Sequence, residues 1–324
     1  MKVSTKLVLK AAENGDLEYL NKVVDTDYGF DKSLDWMTQV DKKGRAPLHL
    51  SSMNGHIYII RLIWRIITEF TRDIYARARY LDVVDYKGRT PLFHAAAGGY
   101  LNICTYLVDR HANTDIYTNE NHTSPGSTAL MACAEKNNVD CFKMLSRKGA
   151  DVMITRRDGA DAIYMAARYG NHEIVRLIAT NNMFTLIVNR KSFYGRTALI
   201  TAAIHGHLEA CEILYANGFD LDDQDNDKFS ALIHATNGGH YLLVKWLVTS
   251  GANLYLKDRY GATAWDIAVT NSFPDIAGFL LESQENLERG KNTSRAMRGS
   301  INRVISRVKV TYSEKEMGRF RRQR

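Results

Sequence analysis

Apolar residues fall along this chain in pairs of short helical blocks, and the pairs recur at a fixed interval. The stretch from Gly195 to Asp220 shows the unit. Leu199 with Ala202-Ala203 forms one block, the polar His205-Gly206-His207 makes a turn, and Leu208, Cys211 and Leu214 form a second block at helical spacing. Displaced by 33 residues, the pattern returns as Ser230-Ala-Leu232, Ala235, Gly239-His240, Val244, Leu247 and Gly251. Displaced by 33 more, it returns as Thr263-Ala-Trp265, Ala268 and Phe279-Leu280. Such a period predicts a solenoid of stacked helix pairs, because one pair has two apolar faces and cannot cover both alone.

With Thr197 as the reference position, the units are marked by Lys6, Ala46, Thr90, Thr128, Asp161, Thr197, Ser230 and Thr263. Asp161 replaces a hydroxyl residue but is itself a good N-cap. Leu48, Leu92, Leu130, Ile163, Leu199 and Leu232 share one position and are expected to line a continuous core. Gly15, Gly55, Gly99, Gly170, Gly206 and Gly239 sit where a left-handed residue would end the first helix. Asn137 takes that place in the fourth unit. Ser272, followed by Pro274, takes it in the last, which reads as a frayed C-terminal cap.

Three spacings are longer than standard. Asp25 to Trp36 holds an insertion. The second helix of the second unit, apolar from Ile57 to Ile67, is expected to run on through Arg72–Tyr80 as one extended helix over about 56–80. It either packs over its neighbours or protrudes as a basic, aromatic contact. Residues 114–126 form an enlarged polar loop, which includes the glycosylation-type triplet Asn121-His-Thr123.

The unit resembles the ankyrin repeat. Gly88-Arg-Thr90-Pro91-Leu92 with Ala95-Ala96, and Gly44-Arg-Ala46-Pro47-Leu48-His49, carry the resemblance most fully, and it extends over about residues 5–282. It implies an all-α solenoid of helix-turn-helix units with β-hairpin loops that binds proteins, with no activity and no particular partner. In such solenoids the hairpin tips and inner helices form a concave binding face. The matching positions are Lys42, Lys43, Arg45, Tyr86, Lys87, Arg89, Arg157, Arg168, Tyr169, Phe193, Tyr194, Arg196, His205, Asn226, Asp227, Phe229, Arg259 and Tyr260. Tyr, Phe and Arg anchor interfaces because they combine rigid area with a polar tip. Tyr169, Phe193, Tyr194 and Arg196 span two adjacent tips. The acidic run Asp220–Asp227 lacks the glycine and terminal glutamate of a calcium loop and reads as a solvated charge cluster.

Charge divides the chain in two. Of 43 Lys+Arg and 36 Asp+Glu, the segment Ser283–Arg324 carries 12 and four, a balance of +8, which leaves −1 for the array. Gln284–Thr293 reads as a polar linker. Beyond it, residues 294–311 suit an amphipathic helix. Met297, Ile301, Val304, Ile305 and Val308 form its apolar stripe, and Arg295, Arg298, Arg303, Arg307 and Lys309 its basic one. Ser300 and Ser306 follow basic residues as kinase sites do, and phosphate on either would remove about two units of positive charge.

No P-loop, His-Glu-x-x-His or Gly-x-Ser-x-Gly pattern occurs, and no cofactor is called for. His49, His56, His207 and His240 fall at repeat positions and read as structural. Cys104, Cys133, Cys141 and Cys211 have no Cys-x-x-Cys spacing and read as buried, reduced thiols. No signal-peptide or membrane-spanning run is present, so the expected location is intracellular and cytoplasmic, the nucleus included, for a monomeric array. Two functions compete. One is a non-enzymatic scaffold that binds a protein partner through the concave face. The other is tail-driven binding to an acidic partner or an anionic surface (a calmodulin-like groove, a cytoskeletal surface or a membrane). Nucleic acid is the weaker form of the second, because the concave face is mixed in charge.

Overall fold

The computed structural model of the chain describes residues 4–26, 35–118, 126–180, 188 and 190–289. Helices α1 (Thr5–Asn14) and α2 (Leu17–Thr26) form the first pair, followed by the short α3 (Asp35–Thr38). Then come α4 (Pro47–Met53) with α5 (Ile57–Phe70), the additional α6 (Ile74–Leu81), and α7 (Pro91–Gly98) with α8 (Leu101–Val108). The remaining pairs are α9 (Ala129–Lys136) with α10 (Val139–Arg147), α11 (Ala162–Arg168) with α12 (His172–Ala179), and α13 (Ala198–Ile204) with α14 (Leu208–Ala216). They end with α15 (Ala231–Asn237) and α16 (Tyr241–Thr249), then α17 (Ala264–Thr270) and α18 (residues 274–289). The first helices stack in one row, α1 on α4 on α7 on α9 on α11 on α13 on α15 on α17, and the second helices in another. Leu48, Leu92, Leu130, Ile163, Leu199 and Leu232 are buried along the first row, as their shared position requires.

From the third repeat on, each first helix begins at its marker because the side chain there satisfies an orphan amide. Thr90, Thr128, Asp161, Thr197 and Ser230 accept from the backbone N–H three residues on, at 3.0–3.3 Å. Ala46 has no acceptor to offer, and there His49 Nδ1 accepts from the Ala46 N–H at 3.1 Å instead. At the helix ends Asn137 (φ 58°) and Ser272 (φ 60°) adopt the left-handed geometry that glycine supplies elsewhere.

Several expectations are corrected. α1 starts at Thr5, with Ser4 at the N-cap position and no side-chain cap bond, ahead of its marker Lys6. The extended helix over 56–80 is two helices. Thr71 is extended (φ −127°, ψ 117°), and Arg77 on α6 reaches back to the carbonyls of Thr71 and Thr68, the latter at 3.2 Å, completing the end of α5. The last repeat is not frayed, because Thr263 and Asp266 cap α17 reciprocally and Pro274 opens α18 at a position where its missing N–H costs nothing. α18 runs to residue 289, so the start of the supposed linker at Gln284 is helical. Strands are absent among the described residues. The hairpin character is a tight turn plus one antiparallel bridge, Gln224 with Ser230. The triplet at Asn121, most of the insertion after Asp25 and the tail beyond 289 lie outside the described residues.

Candidate binding cleft between the fifth and sixth repeats

The loops between repeats project as a row of turns, here called fingers, tied to one another through the backbone. The N–H of one finger donates to a carbonyl of the finger before it: Tyr86 to Lys43 (3.0 Å), Phe193 to Asp158 (2.7 Å), Asn226 to Tyr194 (3.0 Å) and Arg259 to Asp227 (3.0 Å). Four fingers are also tied internally by a carboxylate. Asp41, Asp85, Asp225 and Asp258 each accept two finger amides through Oδ1, at 2.8–3.0 Å. Two of them also take a histidine. Asp85 Oδ2 accepts from His94 Nε2 (3.0 Å), and Asp225 Oδ2 from His234 Nε2 (2.8 Å). Burial alone would raise the Asp85 carboxyl, but the hydrogen bonds from His94, Arg89 and Lys87 and the Arg89 charge hold it at about 2.

The fifth and sixth fingers break this rule. Arg156 and Ser192 stand where the second, third, seventh and eighth fingers carry aspartate. Between these fingers and α11 and α13 opens a polar cleft of about 450 Å³, lined by Arg156, Asp158, Tyr164, Arg168, Tyr194, Arg196, Thr201, Ile204 and His205. Arg156 Nε lies 3.6 Å from Asp158 Oδ1, and Arg196 Nε 3.5 Å from the buried Asp225. Both Nε atoms are shut from solvent without a hydrogen bond. The Arg196 guanidinium stands 5.5 Å from the centre of the Tyr194 ring, and that of Arg168 5.9 Å from Tyr169. His205 is held neutral-prone: burial lowers its pKa first, then the positive charge of Arg168, with Arg196 among the further contributors. The cleft is therefore electropositive on a wall that is otherwise mixed.

The residues predicted for the concave face divide by environment. Tyr86, Phe193, Tyr194 and Tyr260 are more than half exposed (72, 76, 57 and 77 %), so these tip aromatics do not disappear into the next finger. Tyr169 is exposed beside the cleft, and Arg157 is exposed on its finger. Lys87 lies on the third finger, exposed. Arg45 and Arg89 pair with their own finger aspartates at 2.6 and 3.5 Å, and Arg259 pairs with Asp227. These three serve the array itself. The acidic run is a correction: Asp220 and Asp222 accept backbone amides, Asp223 pairs with Lys191 (2.7 Å) and Asp225 is buried, so it is built into the fingers rather than solvated. Arg156, Asp158, Tyr164, Thr201 and Ile204 complete the cleft and were not anticipated. The signal available for Arg156 was its place in a column that holds aspartate in four other fingers.

His205 and His207 approach at 6.0 Å between ring centres, but among the described residues no three His, Cys, Asp or Glu side chains converge as a metal site would require. His56, His207 and His240 instead bond from Nε2 to the carbonyls of Glu13, Arg168 and Ile204 in the preceding repeat, at 3.0–3.2 Å. The four cysteines are free and buried. A second, mostly apolar cavity of about 240 Å³ lies beside the α5–α6 joint, against Met37, Leu48, Ile63 and Tyr80.

The family described as ankyrin repeats (3 copies) matches residues 8–120, 70–156, 130–225 and 217–290. The chain belongs to the ankyrin-repeat family. Among similar proteins, a B-cell lymphoma 3 protein homolog of Mus musculus is 29 % identical over 249 residues, which are 74 % of this chain and 51 % of that protein. The ankyrin repeat and KH domain-containing protein mask-1 of Caenorhabditis elegans is 31 % identical over 242 residues, 74 % of this chain and 8 % of its own length. A transient receptor potential cation channel subfamily A member 1 homolog of the same organism is 26 % identical over 210 residues, 64 % of this chain and 17 % of its own length. The chain thus spans about half of one of these relatives and under a fifth of the others. Ankyrin repeats generally mediate protein–protein interaction, and this array is one of them. Among the described residues no helix is long and apolar enough to cross a membrane.

Proposed function

We propose that the array is a non-enzymatic adaptor that holds a protein partner on its fingers and first helices, with the fifth and sixth repeats as the centre of the contact. The observation that carries this is the cleft. Tyr169, Phe193 and Tyr194 stand exposed around it, and the three arginines Arg156, Arg168 and Arg196 line it where Arg156 and Ser192 replace the aspartate of four other fingers. Aromatic and arginine side chains of this kind supply most of the energy in protein interfaces. Four buried, unpaired thiols suit a reducing intracellular setting, and a monomeric array is the working state.

Affinity capture with the full chain, compared with an Arg168→Glu, Tyr194→Ala variant of equal thermal midpoint, tests the reading. The partner should be lost with the variant. Its undiminished retention would move the contact elsewhere on the molecule.

A second reading rests on the charge division, +8 in Ser283–Arg324 against −1 in the array. In it the tail, through Arg295, Arg298, Arg303 and Arg307 with Ile301, Val304, Ile305 and Val308, binds an acidic partner or anionic surface and is released by phosphate at Ser300 or Ser306. All of these lie outside the described residues. Binding of that kind should weaken steeply as salt rises, whereas binding by the aromatic anchors should not.

A further inference from the structure

We propose that the cleft between the fifth and sixth repeats is a receptor for the phosphate of a phosphorylated side chain on the partner, gripped by Arg156, Arg168 and Arg196. This rests on the reading that the finger face binds a protein.

Three observations point to a single oxoanion. First, arginines from three different elements, the fifth finger, the end of α11 and the sixth finger, line one cleft of about 450 Å³. That is a pocket, not a charged stripe. Second, their donors are incompletely used. Arg156 Nε and Arg196 Nε face Asp158 and Asp225 at 3.6 and 3.5 Å as ion pairs without a hydrogen bond, Arg156 turns one Nη toward Met165 Sδ (3.2 Å), a weak acceptor, and Arg168 makes no ion pair among the described residues. Buried N–H groups left unmatched are costly, so an acceptor entering the cleft is favoured by satisfying them. Third, the column that carries aspartate in four other fingers carries Arg156 and Ser192 here. That leaves Asp158 as the one carboxylate in the lining of the cleft, against three guanidiniums.

The number of donors selects phosphate over carboxylate. A carboxylate has two oxygens and is satisfied by one bidentate guanidinium, whereas a phosphoryl group offers three terminal oxygens and close to two charges. A nucleic-acid backbone fits poorly, because Asp220 and Asp222 of the neighbouring finger pair with no cation among the described residues and would repel the next phosphates along a strand. Tyr194, exposed and standing against Arg196, can cover the organic side of an esterified phosphate.

The test uses the full chain and phenyl phosphate, inorganic phosphate and acetate as probes, read from the arginine Nε–Hε resonances in ¹H–¹⁵N spectra. Phenyl phosphate is expected to shift the resonances of Arg156, Arg168 and Arg196 saturably, and to bind roughly tenfold more tightly than acetate. Arg168→Gln, at an exposed position, should weaken this binding several-fold with no change in thermal midpoint. Equal affinity for acetate would make the site a carboxylate receptor and overturn the proposal. Equal affinity for inorganic phosphate would make it a free-anion site and also overturn it. Binding that survives Arg168→Gln, or no saturable shift, would overturn the site itself. None of these probes involves the partner, so their failure leaves the adaptor reading to be decided separately by capture.

Discussion

The imidazole of His207 donates from Nε2 to the main-chain carbonyl of Arg168, 3.2 Å away in the preceding repeat, and lies across Gly170 as it does so. A Cβ at Gly170 would stand 2.6 Å from His207 Nδ1, and Gly170 has φ 72°. The turn glycine is needed twice over, for its left-handed backbone and for the ring that passes above it. Gly170→Ala should therefore cost more than the roughly 1–2 kcal/mol of a left-handed alanine. In a His207→Ala background the extra part should vanish. A double-mutant cycle from urea unfolding checks this, and strictly additive losses would show that the ring and the glycine do not interact.

His49 makes the stability of the second and third repeats depend on pH. Its Nδ1 accepts from the Ala46 N–H, and its Nε2–H faces the carbonyls of Val83 and Arg89, both at 3.1 Å, which fixes a neutral ring. Burial, then the neighbouring His94, pushes its pKa down from 6.5 to about 4, against the opposing pull of Asp85. Because the folded value lies below the unfolded one, the unfolded chain takes up the proton first as pH falls. The stabilisation is complete above about pH 6.5 and is lost between about pH 6.5 and 4, up to about 3 kcal/mol. Urea midpoints at about pH 7.5 and 5 should differ more for the parent than for His49→Gln. Equal differences would remove His49 as the source.

What could be read from the chain and what could not follow from how local the physics is. The markers Thr90, Thr197 and Ser230 and the turns at Asn137 and Ser272 were legible because each acts on backbone within a few residues of itself. The break at Thr71 was not. The apolar period of α5 continues plausibly into Arg72–Tyr80, no glycine or proline interrupts it, and the end is completed from a distance by Arg77. The acidic run at Asp220–Asp227 was misread for a similar reason. A sequence displays the carboxylates, but not the Asn253 amide or the Lys191 ammonium that they meet 31 and 32 residues away. The exposed aromatics of the cleft were legible as tips. Of its arginines, Arg168 and Arg196 were legible as positions of the concave face, and Arg156 was not, because a cation in a column held by aspartate in four other fingers shows no role until the cleft brings it beside them.

Arg77 gives a test of the α5–α6 joint. Its guanidinium takes the carbonyls of Thr68 and Thr71, two of the acceptors that the end of α5 would otherwise leave open. Arg77→Ala should destabilise the array by about 1–2 kcal/mol, the cost of hydrogen bonds to a charged donor. Amide exchange should quicken over 66–74 while α13–α16 remain as protected as before. Uniform loss of protection along the array would mean that the joint is not a local unit.

Arg156 is the position where stability and binding should oppose one another. In the second, third, seventh and eighth fingers an aspartate here ties two finger amides, and the fifth finger gives up that tie. Its amides are not idle, since the Ala160 N–H reaches Asp158 Oδ1 at 3.2 Å, but a residue at 156 could bond them with shorter geometry. Arg156→Asn restores an acceptor without adding charge, and Arg156→Asp restores it and reverses the charge of the cleft. Each is expected to raise stability by about 0.5–1 kcal/mol, the net value of a hydrogen bond, with the aspartate gaining less because Asp158 is close by. Both should reduce binding of phenyl phosphate, the aspartate more severely. The pattern would identify an array that forgoes a finger hydrogen bond to keep a cation where its partner needs it. If both variants lose stability instead, Arg156 is holding the fifth finger together through Asp158 and Met165, and its place in the cleft is structural.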